Sequence, residues 1–166
     1  MKNFRSFPIA SLAVAGVFAG ALTWSSVQAQ DVTPASGMAG TWLQTITLQG
    51  KTPFDSLITF HSDGTVTDTS QADTVPPELA SPGHGVWQYT STTSVHFKLV
   101  KFLSVATTGA SAGDQITDAT LTLTDSNEFK ATGVVAVYYN GKETSKLSLT
   151  SVGIRMTLTG SLGPDN

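Results

Sequence analysis

The alternation of apolar and polar residues in short runs, separated by turn signals, is the feature that most constrains the fold of this chain. From Gly40 onward, runs rich in threonine, valine and leucine recur about every ten residues. Successive side chains of a β-strand point to opposite faces, so each of these runs has one apolar face. Strands are predicted near residues 40–49, 55–61, 64–70, 85–90, 94–104, 115–124, 127–140, 143–150 and 152–159.

The turn signals indicate how these strands are joined. Asn140-Gly141 is the strongest hairpin signal, because both central residues of a type I′ turn need a positive φ, which Asn and Gly tolerate. No helical period extends far enough to predict a long helix. The pattern favours an all-β fold, a single antiparallel up-and-down β-barrel of about eight to nine strands. A two-sheet sandwich would show similar alternation and is the alternative.

The first residues of the chain have the pattern of an export signal. Lys2 and Arg5 form a short positive head, and residues 7–24 are predominantly apolar. Val27-Gln28-Ala29 then has the small residues that a signal peptidase reads, so we predict a signal peptide over residues 1–29 and an exported, periplasmic or secreted protein. A transmembrane anchor is the alternative, because the apolar run approaches about 18 residues.

Charge and cysteine content restrict the partners and the means of stabilisation. The chain has nine Lys and Arg residues against twelve Asp and Glu, so that removal of Lys2 and Arg5 leaves seven cations and a net charge of −5. Without a basic cluster, this balance argues against nucleic acid and anionic membranes as partners. The chain has no cysteine, so its core must stabilise it without disulfides. We predict one barrel domain over residues 39–160, with a disordered lead at 30–38 and a tail at 161–166.

The head of the first predicted strand carries a family resemblance. Gly40-Thr41-Trp42 matches the G-x-W signature of the lipocalins and their calycin relatives. The chain also resembles a group of uncharacterised exported bacterial lipocalin-like proteins, in residues 59–64, 81–87 and 153–155. The resemblance implies a small barrel whose floor is plugged by Trp42 and covered by an Arg or Lys from near the last strand, which would here be Arg155.

Strand parity leaves the direction of Arg155 open. If Ile154, Met156 and Leu158 face inward, Arg155 faces solvent, and if Arg155 faces inward, these three apolar side chains face solvent. We favour a structural contact between Arg155 and Trp42, worth about 1 kcal/mol as a cation–π pair. In the fatty-acid-binding relatives a late-strand arginine is aimed at a ligand carboxylate, and this is the alternative role.

Four residues are predicted to bind a ligand inside the barrel. Phe97, Leu99 and Lys101 share one face of the 94–104 strand, and Tyr139 shares the apolar face of the 127–140 strand. An inward Lys101 would contact a carboxylate or carbonyl of the ligand. A bulge or strand end near Lys101 would instead leave its amine in solvent, and we favour this solvated position.

The long loop at residues 71–83 is predicted to form a flap at the open end of the barrel, because it is rich in proline and too long for a tight turn. Leu79 would be its lid residue over the ligand, and His84 would lie at its hinge. His84 could also transfer protons near neutral pH, whereas the flanking glycines are explained by turn chemistry alone. A solvated connector without a function is the alternative.

The remaining titratable residues give no stronger signal. Asp55, Asp63, Asp68 and Asp73 could form a paired-carboxylate site, but turn and edge positions explain them more simply. His61 and His96 have the opposite parity to their apolar neighbours and should point outward, with no spacing typical of zinc ligands. We therefore predict neither a metal site nor a cofactor.

By analogy of fold alone, the predicted function is non-covalent binding of a small, mostly apolar molecule in the barrel lumen. One alternative is a cyclase or isomerase of a lipid- or polyketide-like substrate, with His84, Lys101 or a tyrosine as acid or base. The other is a module that binds an envelope protein by its outer face. A lumen above about 300 Å³ favours the binder or the cyclase, and a filled barrel favours the protein-binding module. The oligomeric state is left open.

Overall fold

The computed structural model describes residues 37–157, which form a closed antiparallel barrel of eight strands with one additional short strand. The predicted all-β barrel is therefore confirmed. The strands are β1 (Gly40–Leu48), β2 (Phe54–Phe60), β3 (Thr65–Ser70), β4 (Glu78–Ala80), β5 (Gly83–Tyr89), β6 (Ser94–Val105), β7 (Ser111–Leu123), β8 (Glu128–Tyr139) and β9 (Lys142–Arg155). The predicted signal peptide, the tail at 161–166 and Leu158 lie outside the described residues.

Each barrel strand pairs with its neighbours in the chain, and β9 pairs with β1 to close the circle. The order around the barrel is β6-β5-β3-β2-β1-β9-β8-β7, with β7 returning to β6. The hairpin between β8 and β9 turns at Asn140 and Gly141, both with positive φ, as the Asn-Gly pair predicts. Because every barrel strand is hydrogen-bonded to a strand on each side, the barrel has no free strand edge.

Two strand predictions differ from the structure. The runs at 143–150 and 152–159 are one strand, β9, because the chain does not turn at Ser151, which pairs with Ile46 on one side and with Ala131 on the other. The predicted loop at 71–83 contains a short 3-10 helix (Gln71–Thr74) and β4, which pairs with the end of β6. Among the described residues, none of the helical structure is long and apolar enough to cross a membrane.

One end of the barrel is closed by Trp42. Its indole is fully buried, packs edge-to-face on Phe129 with ring centroids 5.3 Å apart, and donates from Nε1 to the carbonyl oxygen of Met38 at 3.0 Å. Met38 is itself fully buried. The assignment of Met38 to a disordered lead is corrected accordingly, because its side chain belongs to the core.

Arg155 covers this closed end from the inward face of β9. It lies opposite Trp42 in the β1–β9 ladder, and its guanidinium carbon is 4.1 Å from the centroid of the Trp42 ring. Arg155 Nη1 donates to the carbonyl oxygen of Ala39 at 2.9 Å, and burial lowers the pKa of the guanidinium. Gly40 has a φ of 136°, and a Cβ at this position would lie only 2.8 Å from Arg155 Nη1. The glycine of the G-x-W motif therefore leaves room for the arginine.

The inward direction of Arg155 places its apolar neighbours on the outside. Val152, Ile154 and Met156 are all exposed. Of the two orientations that strand parity allows, the structure has the one in which Arg155 points toward Trp42 and these side chains meet solvent. At the C-terminal end of β9 the apolar side chains therefore lie on the outer face, whereas Leu149 in the same strand points into the core.

Candidate functional site

A cavity of about 270 Å³ lies inside the barrel on the side away from Arg155. Much of its wall is apolar and includes Phe97, Leu99 and Val135, which are buried. Its lining also includes Val75, Pro77 and Glu78, which are exposed. The cavity therefore connects the core with the surface between the 3-10 helix and β4. Part of the predicted flap segment borders this mouth.

A buried ion-pair cluster forms one wall of the cavity. The Lys101 ammonium lies 2.6 Å from Asp68 Oδ2 and 2.7 Å from each of the two carboxylate oxygens of Asp73. All three side chains are buried, and Lys101 is only 2% exposed. Each ammonium hydrogen therefore has a carboxylate acceptor, and the charge of Lys101 is compensated without water.

The carboxylates of this cluster accept further hydrogen bonds from the lumen wall. Ser70 donates to Asp73 twice, from its backbone nitrogen and from Oγ, each at 2.8 Å. Ser56 Oγ donates to Asp68 Oδ1, and Gln44 Nε2 donates to the same oxygen at 3.4 Å. Within the described residues, no buried side-chain polar atom lacks a partner. The polar groups thus form one satisfied network in an otherwise apolar lumen.

Local sequence explains how Lys101 enters the lumen. Lys101 follows Phe97 and Leu99 at alternating positions of β6, and the register shift of this strand comes only between Leu103 and Ser104. Gly83 lies beside the lysine stem, where a Cβ would be 3.1 Å from Lys101 Cε. The missing side chain at Gly83 leaves space for the aliphatic stem between β3 and β6.

The solvated position favoured for Lys101 is therefore wrong. A bulge does occur, but it lies beyond Lys101 and leaves the inward parity of the side chain intact. Turn and edge positions also fail to explain Asp68 and Asp73, since both are buried. They do explain Asp63, which accepts from the backbone nitrogen of Thr65 at 2.9 Å.

Of the six residues predicted to bind a ligand, only some line the cavity. Phe97 and Leu99 line the cavity with Lys101. Leu79 and His84 are not among its lining residues, and His84 is exposed on β5. Tyr139 is 49% exposed, because β8 changes register between Val137 and Tyr138 and the alternation does not continue to its end. The structure thus brings together three of the six residues.

The histidines lie on the outside of the barrel. His61 is exposed, and His96 is paired with Asp118 on the outer face, with His96 Nε2 and Asp118 Oδ1 2.7 Å apart. This hydrogen bond, together with the nearby Lys98 ammonium, holds the pKa of the Asp118 carboxyl below its usual range. In residues 37–157, no group of three His, Asp or Glu side chains is arranged to hold a metal ion.

Several lumen residues were not predicted as part of a site. Gln44, Ser56, Ser70, Ser151 and Thr117 are polar, buried and on the cavity side of their strands. Ser151 Oγ donates to Gln44 Oε1 at 3.0 Å, which joins β9 to β1 within the lumen. Gln44 shares its parity with Trp42, so strand alternation could have identified it. The arrangement offers a ligand apolar walls and one polar, charged wall.

No protein-family model matches the chain, and no curated protein is similar to it in sequence. Among solved structures, the chain is similar to a redesigned β-barrel at 17% identity and a TM-score of 0.45, over 72% of this chain and 92% of that one.

Proposed function

We propose that this protein is an exported, lipocalin-like carrier that holds a small, mostly apolar molecule non-covalently in the barrel lumen. The observation that carries the proposal is a cavity of about 270 Å³ that reaches the surface at one end of a barrel closed at the other end by Trp42. This volume is slightly below the value of about 300 Å³ given above for a binder or a cyclase, but the barrel is not filled, as the protein-binding module would require. A volume of 270 Å³ equals that of about nine waters at about 30 Å³ each. The proposed ligand therefore has roughly ten non-hydrogen atoms.

The lipocalin-like part of the proposal is supported by the closed end. Gly40 and Trp42 of the G-x-W motif lie at the start of β1, and Arg155 covers the indole from the last strand. This is the arrangement that the resemblance implies. An arginine engaged with Trp42 and with the Ala39 carbonyl is a structural residue, which argues against a role for Arg155 in binding a ligand carboxylate.

Binding without chemistry fits the lumen better than the cyclase alternative. A cyclase needs an acid or base that can exchange a proton with its substrate. In this lumen the Lys101 amine is held by two carboxylates, and His84 lies on the outside of the barrel. A satisfied ion-pair network is suited to orient a ligand and less suited to proton transfer.

Binding of 1-octanol, a neutral probe of suitable size, is expected to depend on the lumen. Val135→Phe should reduce its affinity at least about tenfold, because Val135 lines the cavity and the larger ring fills it. The matched control is Val152→Phe, on the exposed outer face of β9, which should leave the affinity unchanged. Isothermal titration calorimetry on the three folded proteins measures the difference.

Two results would count against this proposal. If 1-octanol does not bind the wild type, the lumen is not a binding site for small apolar molecules. If Val152→Phe weakens binding as much as Val135→Phe, the probe binds outside the barrel. Thermal unfolding of both variants establishes that they are folded before binding is compared.

Export predicts a specific mature mass. Cleavage after Ala29 should give a protein that begins at Gln30 and has lost the Lys2 and Arg5 charges. Intact-mass spectrometry of the protein recovered from the periplasm or medium of its host checks this. A mature chain that still carries Trp24 would contradict both the export signal and the mature net charge.

Binding of a protein partner is a second candidate function, favoured by an apolar row on the outer face. Leu43 pairs with Leu57 on one side and with Ile154 on the other, and Leu57 and Ile154 are each 43% exposed. Exposed apolar neighbours of this kind mark interaction surfaces. Failure of 1-octanol to bind the lumen would favour this candidate over the carrier.

A further inference from the structure

The negative charges that line the cavity outnumber the positive ones. Asp68, Asp73 and Glu78 carry three negative charges against the single positive charge of Lys101. The buried part alone, Asp68, Asp73 and Lys101, has a net charge of −1. A ligand that enters the lumen therefore meets a negative wall, although the cavity contains a lysine.

The lysine cannot serve as an anchor for an anionic ligand as it stands. Its ammonium contacts three carboxylate oxygens of Asp68 and Asp73 at 2.6–2.7 Å. A ligand carboxylate would have to displace one of these aspartates and leave it buried without its cation, at a high cost. An isolated inward lysine would instead attract the carboxylate of an anionic ligand.

The carboxylates have an acceptor position left for a cation. Among the described residues, Asp68 Oδ2 accepts only from the Lys101 ammonium, whereas Oδ1 accepts from both Ser56 and Gln44. A carboxylate oxygen accepts about two hydrogen bonds. A second ammonium at Asp68 would fill this position and neutralise the remaining charge of the cluster.

We propose that the cavity selects an amphiphile whose polar end is a cation, such as a primary amine on an aliphatic chain, and disfavours a fatty acid of the same length. The inference rests on the proposed carrier function and adds the charge class of the ligand. The ammonium pairs with Asp68, and the aliphatic part lies against Phe97 and Leu99. The difference in binding free energy between a cationic and an anionic ligand is far larger in a partly buried site than in water.

The test compares three probes of nearly equal size: octylamine, 1-octanol and octanoate. At pH 7 and 0.15 M salt, calorimetry should show octylammonium binding at least about tenfold more tightly than octanoate, with 1-octanol between them. The comparison is repeated at 0.5 M salt. At this salt concentration the attraction between octylammonium and the net negative protein surface is screened within a few ångströms. Selectivity that originates in the buried cluster should persist.

Two variants locate the source of the selectivity. Asp73→Asn keeps the size of the side chain and leaves Lys101 and Asp68 as a neutral pair, so the preference for octylammonium over octanoate should fall to less than about threefold. Glu78→Gln removes a charge at the exposed mouth and should retain the preference. If Asp73→Asn does not fold, the wild-type comparison and Glu78→Gln still decide the question.

The outcomes separate this inference from the function on which it rests. Equal affinity for all three probes, or tighter binding of octanoate, overturns the charge selectivity and leaves the carrier function standing. Loss of the preference in Glu78→Gln, or in 0.5 M salt, overturns the assignment to the buried cluster. If none of the probes binds, the carrier function fails, and the inference fails with it.

Discussion

Replacement of Lys101 with methionine is expected to destabilise the protein by about 3–5 kcal/mol, because it leaves two buried aspartates without their cation. Lys101 is 2% exposed and lies within 2.7 Å of both carboxylates, so water cannot readily replace its ammonium. Methionine has a similar length and is compatible with the aliphatic surroundings of the stem. The loss is thus assigned to charge and hydrogen bonding. Urea unfolding followed by tryptophan fluorescence measures it.

Lys98→Met is the matched control for this prediction. Lys98 lies on the same strand, faces outward with its side chain 58% exposed, and pairs with Asp118 at 3.1 Å. A surface ion pair of this kind contributes at most about 1 kcal/mol. If the two lysine variants lose similar stability, the Lys101 cluster is not the buried network described above.

Trp42→Ala is expected to cost about 3–5 kcal/mol, through lost burial and the cavity left at the closed end. The indole is fully buried, contacts Phe129 edge-to-face, and lies under the Arg155 guanidinium. Its removal also leaves the Met38 carbonyl without its donor. Chemical unfolding at equilibrium, followed by far-ultraviolet circular dichroism, gives the change in the free energy of unfolding.

Phe102→Ala is the control for the tryptophan. Phe102 is an aromatic residue of β6 that is 66% exposed, and its truncation should change the stability by less than about 0.5 kcal/mol. A Trp42→Ala variant as stable as this control would show that the G-x-W motif does not anchor the barrel. The lipocalin-like interpretation would then lose its main support.

Sequence periodicity was sufficient to predict the barrel but not all of its strands. Alternation identifies a strand wherever one face is buried, which explains the close agreement for β1, β2 and β6. It failed at Ser151, where a break between two strands was predicted, because a buried serine within a strand looks the same in sequence as a serine between two strands. It also missed β4, whose three residues are too short to show a period.

The candidate site was harder to predict than the fold, because its chemistry depends on pairing between distant elements. The parity of Lys101 indicated an inward direction, but a bulge or strand end that leaves its amine in solvent was favoured. Burial of a lone ammonium is costly, and the two residues that remove this cost come from β3 and from the 3-10 helix. Asp68 shares the inward parity of Val66 and Ser70 and could have been identified. Asp73 could not, since strand alternation does not extend into a helical turn.

The position of a bound probe tests the central claim of a carrier lumen most directly. With 1-octanol at saturation, nuclear Overhauser effects between the probe and protein methyl groups report which side chains it contacts. The carrier account predicts signals from the probe methylenes to Leu99 and Val135, which line the cavity. Signals to the exposed methyl groups of Val152 and Ile154 instead, or none to the lumen, would contradict it.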